Sequence, residues 1–101
     1  MDEYYPKAKL AVLEELDETT NEQLVKNYGG KFTASSKLFL DLGIPVERMA
    51  VMAPRMNDAL DKYPRSSNVT SAGLARAKTI GDVVTLFCKA AKITIPQGEP
   101  R

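Results

Sequence analysis

Few residues in this chain could act on a bond, and the missing ones decide the most. The chain has no histidine, the commonest general base and metal ligand near neutral pH, and a single cysteine, Cys88. No histidine-dependent triad and no intramolecular disulfide can be assembled. Cys88 falls on the apolar side of a predicted helix, where a thiol serves as a small buried hydrophobe rather than a reactive group. The carboxylates are distributed as ordinary surface pairs, with no acid–base constellation among them, so an enzyme is not expected. The hydroxyls of Ser35, Ser36, Ser66, Ser67 and Ser71 remain. Ser35 or Ser36 reads as the cap of the turn containing Leu38, Phe39, Leu40 and Leu42, and Ser66 and Ser67 as part of a solvated loop.

Binding chemistry is easier to find. Met49, Met52 and Met56, with Arg48 and Arg55 beside them, combine flexible, polarizable side chains with positive charge, a combination suited to adaptable contacts. Met49 and Met56 also lie on a helical stripe and are expected in the core. Val51 and Met52 lie off that stripe and are the more informative if exposed. The candidate partner-binding residues are therefore Val46, Glu47, Arg48, Val51, Met52 and Arg55. Nucleic acid is the alternative partner, through Lys62, Arg65, Arg76 and Lys78. These four are spread out, however, and fourteen basic against thirteen acidic residues leave a net charge of only +1, without the clustered excess that phosphate contacts need. Neither nucleic acid nor membrane is the expected partner.

The elements that must position these residues follow from composition and periodicity. At 101 residues, 44% hydrophobic and 27% charged, the chain fits one globular domain over 1–101, with its core at 7–92 and a flexible tail at 93–101. There is no long apolar run, and Met1 to Pro6 lacks the basic start and apolar stretch of a signal peptide, so the chain reads as cytoplasmic. It is also expected to be a monomer.

Leu38 to Tyr63 organises the rest. Val46, Met49, Ala53, Met56, Leu60 and Tyr63 recur three and four apart, the period of one buried helix face. Gly43 suits a positive φ in the preceding turn, and Pro45 suits a helix start. Pro54 cannot donate to Ala50, and because the stripe stays in phase across it, one kinked helix is predicted. Leu38, Phe39, Leu40 and Leu42 make a turn too apolar to be solvated.

Before this segment, Pro6 starts a helix with Leu10, Leu13 and Leu16 on one side, broken by Asp17 to Thr20. Thr20 and Gln23 then make a capping box for a short helix carrying Leu24, Val25 and Tyr28, which Gly29-Gly30 stops. Phe32 tucks under the loop that follows. After the central segment, Thr70 or Ser71 begins a short helix with Val69, Leu74 and Ala77 inward. Thr79 and Asp82 cap a last amphipathic helix bearing Ile80, Val83, Val84, Phe87, Cys88 and Ala91.

This order resembles the acyl carrier protein family. The likeness is carried by Ser36-Lys37-Leu38-Phe39-Leu40-Asp41-Leu42-Gly43-Ile44, similar to the family's Asp-Leu-Gly stretch before its second helix, and by Lys78-Thr79-Ile80-Gly81-Asp82-Val83-Val84, similar to the start of its last. The resemblance implies an all-α, four-helix bundle with a long first loop containing a short extra helix.

In the family, a serine at the start of the second helix carries 4′-phosphopantetheine. Here the matching positions read Pro45-Val46-Glu47, and the valine has no hydroxyl, so that cofactor is not expected. The family's second helix is acidic, whereas here Glu47, Arg48, Arg55, Asp58, Asp61, Lys62 and Arg65 mix signs, so its partners do not carry over. What the resemblance implies is a non-enzymatic interaction module that binds a protein, with an acyl- or metabolite-processing enzyme as the partner class. A genuine carrier modified at a displaced serine, and a small helical nucleic-acid binder, are the alternatives.

Overall fold

Tyr5, Ala8, Val12 and Leu16 recur three or four residues apart along the first helix, α1 (Tyr5–Thr20), and with Leu13 they are buried. Leu10, predicted inward, is exposed, because it lies two residues from both Ala8 and Val12 and so on the opposite side of the helix. The computed structural model describes residues 4–20, 23–63 and 67–95, and among these the regular structure is entirely helical.

Asp17 does not break α1 as predicted. The helix runs on to Thr20, and the Asp17 carboxylate turns forward to accept the amides of Leu24 and Val25, capping the short α2 (Leu24–Asn27). Asp17 thus replaces the predicted Thr20–Gln23 box. Gln23 sits in the left-handed region at φ 56° and supplies no side-chain cap. α2 ends ahead of the predicted glycine stop, at Tyr28, whose extended backbone (ψ 134°) takes it out of the helix it was expected to belong to; Gly29 follows at φ 92°, and Phe32 is buried beyond it as predicted.

The predicted kinked helix is two helices, α3 (Val46–Val51) and α4 (Ala53–Leu60). Pro54 has no N–H to continue the ladder, so the chain closes a tighter turn, Met52 N donating to Met49 O at 3.1 Å, and Pro54 falls in the first turn of α4, where no donor is needed. Met49, Ala53, Met56 and Leu60 stay in phase across the break and are buried. Val46 is not part of that stripe. It is 55% exposed, because Ile44, on the extended stretch before Pro45, fills the core at this end.

The last two helices follow their caps. Thr70 Oγ1 accepts from Gly73 N at the start of α5 (Ser71–Arg76), and Thr79 and Asp82 form a reciprocal capping box on α6 (Ile80–Ala90). Cys88 is fully buried among the α6 residues predicted to face the core. Ile93, expected in the tail, packs on the core. Lys92 takes φ 59°, Ile93 N donates to Cys88 O at 2.8 Å, and the Ile93 side chain is buried; residues 96–101 lie outside the described residues.

Helix α1 packs against α2, α4 and α6, while α3 packs against α5, and α6 also touches α4 and α5. Asn57 ties α4 to the segment before α5, accepting from Val69 N at 2.8 Å and donating to Val69 O at 3.0 Å. No described helix is long and apolar enough to cross a membrane.

Candidate functional site

The turn between Lys37 and Ile44 is fixed from two directions. Within it, the amides of Asp41 and Leu42 donate to Lys37 O, Gly43 N to Phe39 O and Ile44 N to Leu38 O, all at 2.8–3.2 Å. The Asp41 carboxylate closes the turn by accepting Lys37 N at 2.7 Å, and Gly43 supplies the left-handed corner at φ 72°. From outside, the chain ahead of the turn is stitched to the start of α6: Leu38 N donates to Lys78 O, Ile80 N to Ser36 O and Gly81 N to Ala34 O.

This frame decides which side chains see water. Leu38, Leu42 and Ile44 point into the core, which leaves Phe39 and Leu40 outside, 64% and 73% exposed. The prediction that the whole turn is too apolar to be solvated therefore fails at these two positions. A closed turn that commits 38, 42 and 44 inward cannot rotate 39 and 40 the same way. Leaving them out forgoes about 1.5–3 kcal/mol of burial for each side chain.

Beside the turn lies an open groove of about 640 Å³. Phe39, Leu40 and Val46 border it with the buried Ile44 and Met49, and Ala75 to Thr79, the end of α5 and its link to α6, line it as well. Lys37, Arg76 and Lys78 bring three cations to the lining, which contains no acidic residue. All three are exposed, and none has an ion-pair partner among the described residues. The nearest acids in sequence, Asp41 and Asp82, lie outside the lining with their carboxylates turned to backbone amides, Asp41 to Lys37 N and Asp82 to those of Lys78 and Thr79, and they keep their charge there. Among the described residues no group of three His, Cys, Asp or Glu side chains could hold a metal ion.

The candidate residues named from sequence do not form one surface. Val46 is in the groove. Glu47 and Val51, four residues apart and both exposed, share a different side of α3, Val51 being 70% exposed. Arg48 reaches back to α1, its Nη1 donating to Thr19 O at 3.4 Å. Arg55 pairs with Glu15 at 3.0 Å and with Glu18, tying α4 to α1. Met52 is not a surface residue at all: it is 4% exposed, packed in the core with its sulfur 3.9 Å from the Thr19 hydroxyl.

Among the candidate hydroxyls, Ser36 is buried, with its Oγ accepting Thr33 N at 2.9 Å, so it closes the turn from Thr33 to Ser36 and not the following turn of Leu38 to Leu42 that Ser35 or Ser36 was expected to cap, where Asp41 does so instead. Ser35, Ser67 and Ser71 are exposed, and Ser66 lies outside the described residues. Lys37, Phe39 and Leu40 were not among the predicted partner-binding residues, and Arg76 and Lys78 were named only for the nucleic-acid alternative. Their signal in the sequence is a pair of large apolar residues inside a turn delimited by Asp41 and Gly43, with basic residues recurring at 76 and 78.

Comparison of the chain with protein-family models, with curated proteins and with solved structures found no match.

Proposed function

We propose that this protein is a non-enzymatic interaction module on a carrier-protein-like scaffold, and that it binds a protein partner through the Phe39–Leu40 turn and the groove beside it. The observation that carries this reading is the exposure of Phe39 and Leu40 on a turn held by backbone hydrogen bonds. Two adjacent large apolar side chains fixed in water, next to a groove, have the form of a contact surface.

The element order supports the scaffold. In carrier-like terms α1 is the first helix, α2 the extra helix of the long first loop, α3 and α4 a second helix interrupted at Met52, α5 the third and α6 the fourth. On this correspondence Val46, exposed at the start of α3, occupies the attachment position without a hydroxyl, so the module works without 4′-phosphopantetheine. An acyl- or metabolite-processing enzyme is the partner class that the scaffold suggests.

The test is a photoreactive phenylalanine analogue placed at Leu40 in living cells, with the same analogue at Leu10 and Val25 as exposed controls. A discrete protein adduct formed from position 40, absent from both controls and lost when Phe39→Asp is added, is the expected result. Equal adducts from all three positions, or none from position 40, would overturn the reading.

A further inference from the structure

Resting on that reading, we infer that the segment of the partner that enters the groove is an acidic amphipathic peptide, with large apolar side chains on one face and carboxylates flanking them. The chemistry of the lining selects it. Apolar surface from Ile44, Met49, Phe39 and Leu40 accepts a hydrophobic anchor, and Lys37, Arg76 and Lys78 surround it with positive charge. The whole chain carries a net charge of only +1, so this concentration of one sign is local, and the three cations have no ion-pair partner among the described residues. A carboxylate arriving here can pair directly with cations that no side chain of the fold pairs, and further positive charge is repelled.

The size of the occupant follows from where Phe39 and Leu40 point. They stand 64% and 73% exposed, so a small amphiphile resting between Ile44 and Met49 leaves most of their surface in water, whereas a peptide crossing the groove covers both. A second copy related by a two-fold axis is disfavoured, because an isologous contact sets Lys37, Arg76 and Lys78 against themselves. Phosphate of a nucleic acid matches the cations but leaves the apolar lining without a partner.

Selection from a displayed library of random 15-residue peptides tests the inference on the full chain. The expected outcome is enrichment of sequences in which Asp or Glu flanks Leu, Phe, Met or Trp at helical spacing. Recovery should fall about tenfold or more at raised salt, and similarly on the exposed-surface variant Lys37→Glu/Arg76→Gln/Lys78→Glu. Unchanged far-UV circular dichroism establishes that this variant is folded. Enrichment of neutral or basic peptides, the same acidic set recovered on the variant, or no enrichment overturns the inference. So does protection of residues 37–49 from amide exchange by dodecanoate or by a single-stranded oligonucleotide in place of peptide. A position-40 adduct in cells combined with failure here removes the acidic peptide and leaves the interaction module; loss of the adduct removes both.

Discussion

The Leu38 amide donates to the Lys78 carbonyl at 2.9 Å, joining the chain ahead of α3 to the link between α5 and α6. The bond places the side chains at 37 and 39 against those at 76 to 78, so both sides of the groove are set by one strand-like crossing, Lys37 opposite Thr79. It also separates Leu38 from the apolar pair that follows it, Phe39 and Leu40, by role. Leu38→Ala, in the core, is expected to cost about 2–5 kcal/mol. Phe39→Ser with Leu40→Ser, outside it, should stay within about 0.5 kcal/mol for each change, and Phe39→Ser alone should abolish the adduct formed from the analogue at position 40. Urea unfolding of the two variants checks the contrast. A large loss of stability in the Phe39/Leu40 pair shows that they are structural and not a contact surface.

That contrast also measures what was legible in the sequence. Periodicity and caps gave α6 nearly whole, because Thr79, Asp82 and the apolar series from Ile80 to Ala91 are local signals that agree with each other. The stripe Met49, Ala53, Met56 and Leu60 was legible for the same reason. Met52 and Phe39 were not. Methionine off a stripe looks exposed until a second helix covers it, and here α1 does so at Thr19. The exposure of Phe39 depends on a turn that local bonds close and that one long-range bond, Leu38 N to Lys78 O, holds beside the start of α6, a pairing that no local pattern announces. The cations of the groove come from both sides of a 38-residue interval in sequence, Lys37 to Arg76 and Lys78, so only the tertiary pairing makes them a cluster.

Thr79 has two tasks, capping α6 and lining the groove. Thr79→Ala removes the oxygen that accepts Asp82 N at 3.1 Å and is expected to lower stability by about 1 kcal/mol. Thr79→Ser keeps the hydroxyl and should recover most of the loss. Calorimetric melting of both variants decides it, since equal losses would assign the effect to the methyl group instead of the cap.

Asn57 holds Val69 by both its amide and its carbonyl, and Val69 is buried. Asn57→Ala strands two backbone groups in a part-buried position and should cost about 1–3 kcal/mol. Because α5 follows directly, the loss should be accompanied by faster amide exchange from Val69 through Leu74, with α1 unaffected. Exchange that rises uniformly over the whole chain would show that Asn57 matters to global stability alone.

Tyr63 lies edge-on between Tyr4 and Phe87, with ring centroids 6.0 Å and 5.8 Å away. Removal from water pushes its phenol above the ordinary tyrosine value, and negative charge on the neighbouring Cys88 adds to the shift. The folded protein therefore holds this proton more tightly than the unfolded chain does. The corresponding stability is fully present below about pH 10 and is lost as pH rises from there through the folded value. Absorbance of ionised tyrosine should show a late phase that disappears in Tyr63→Phe, and Tyr63→Phe should flatten the alkaline fall in melting temperature. An unchanged late phase in that variant would place the shifted phenol elsewhere.

The side chain at position 46 decides between an armless module and a carrier. Val46 is exposed at the first residue of α3, so a hydroxyl introduced there would face solvent. Incubated with coenzyme A and a broad-specificity phosphopantetheinyl transferase, the natural chain is expected to keep its mass. The variant Pro45→Asp/Val46→Ser/Glu47→Leu, which restores the Asp-Ser-Leu of the family it resembles, is expected to gain one arm that maps by fragmentation to position 46. Modification of the natural chain at Ser35, Ser67 or Ser71, each exposed, would instead establish a displaced attachment site. A folded triple variant that remains unmodified would count against the carrier-like scaffold itself, because the transferase must recognise the geometry around the new hydroxyl as well as the hydroxyl. The contact surface at Phe39 and Leu40 would survive that outcome, since it rests on their exposure and on the turn that fixes them.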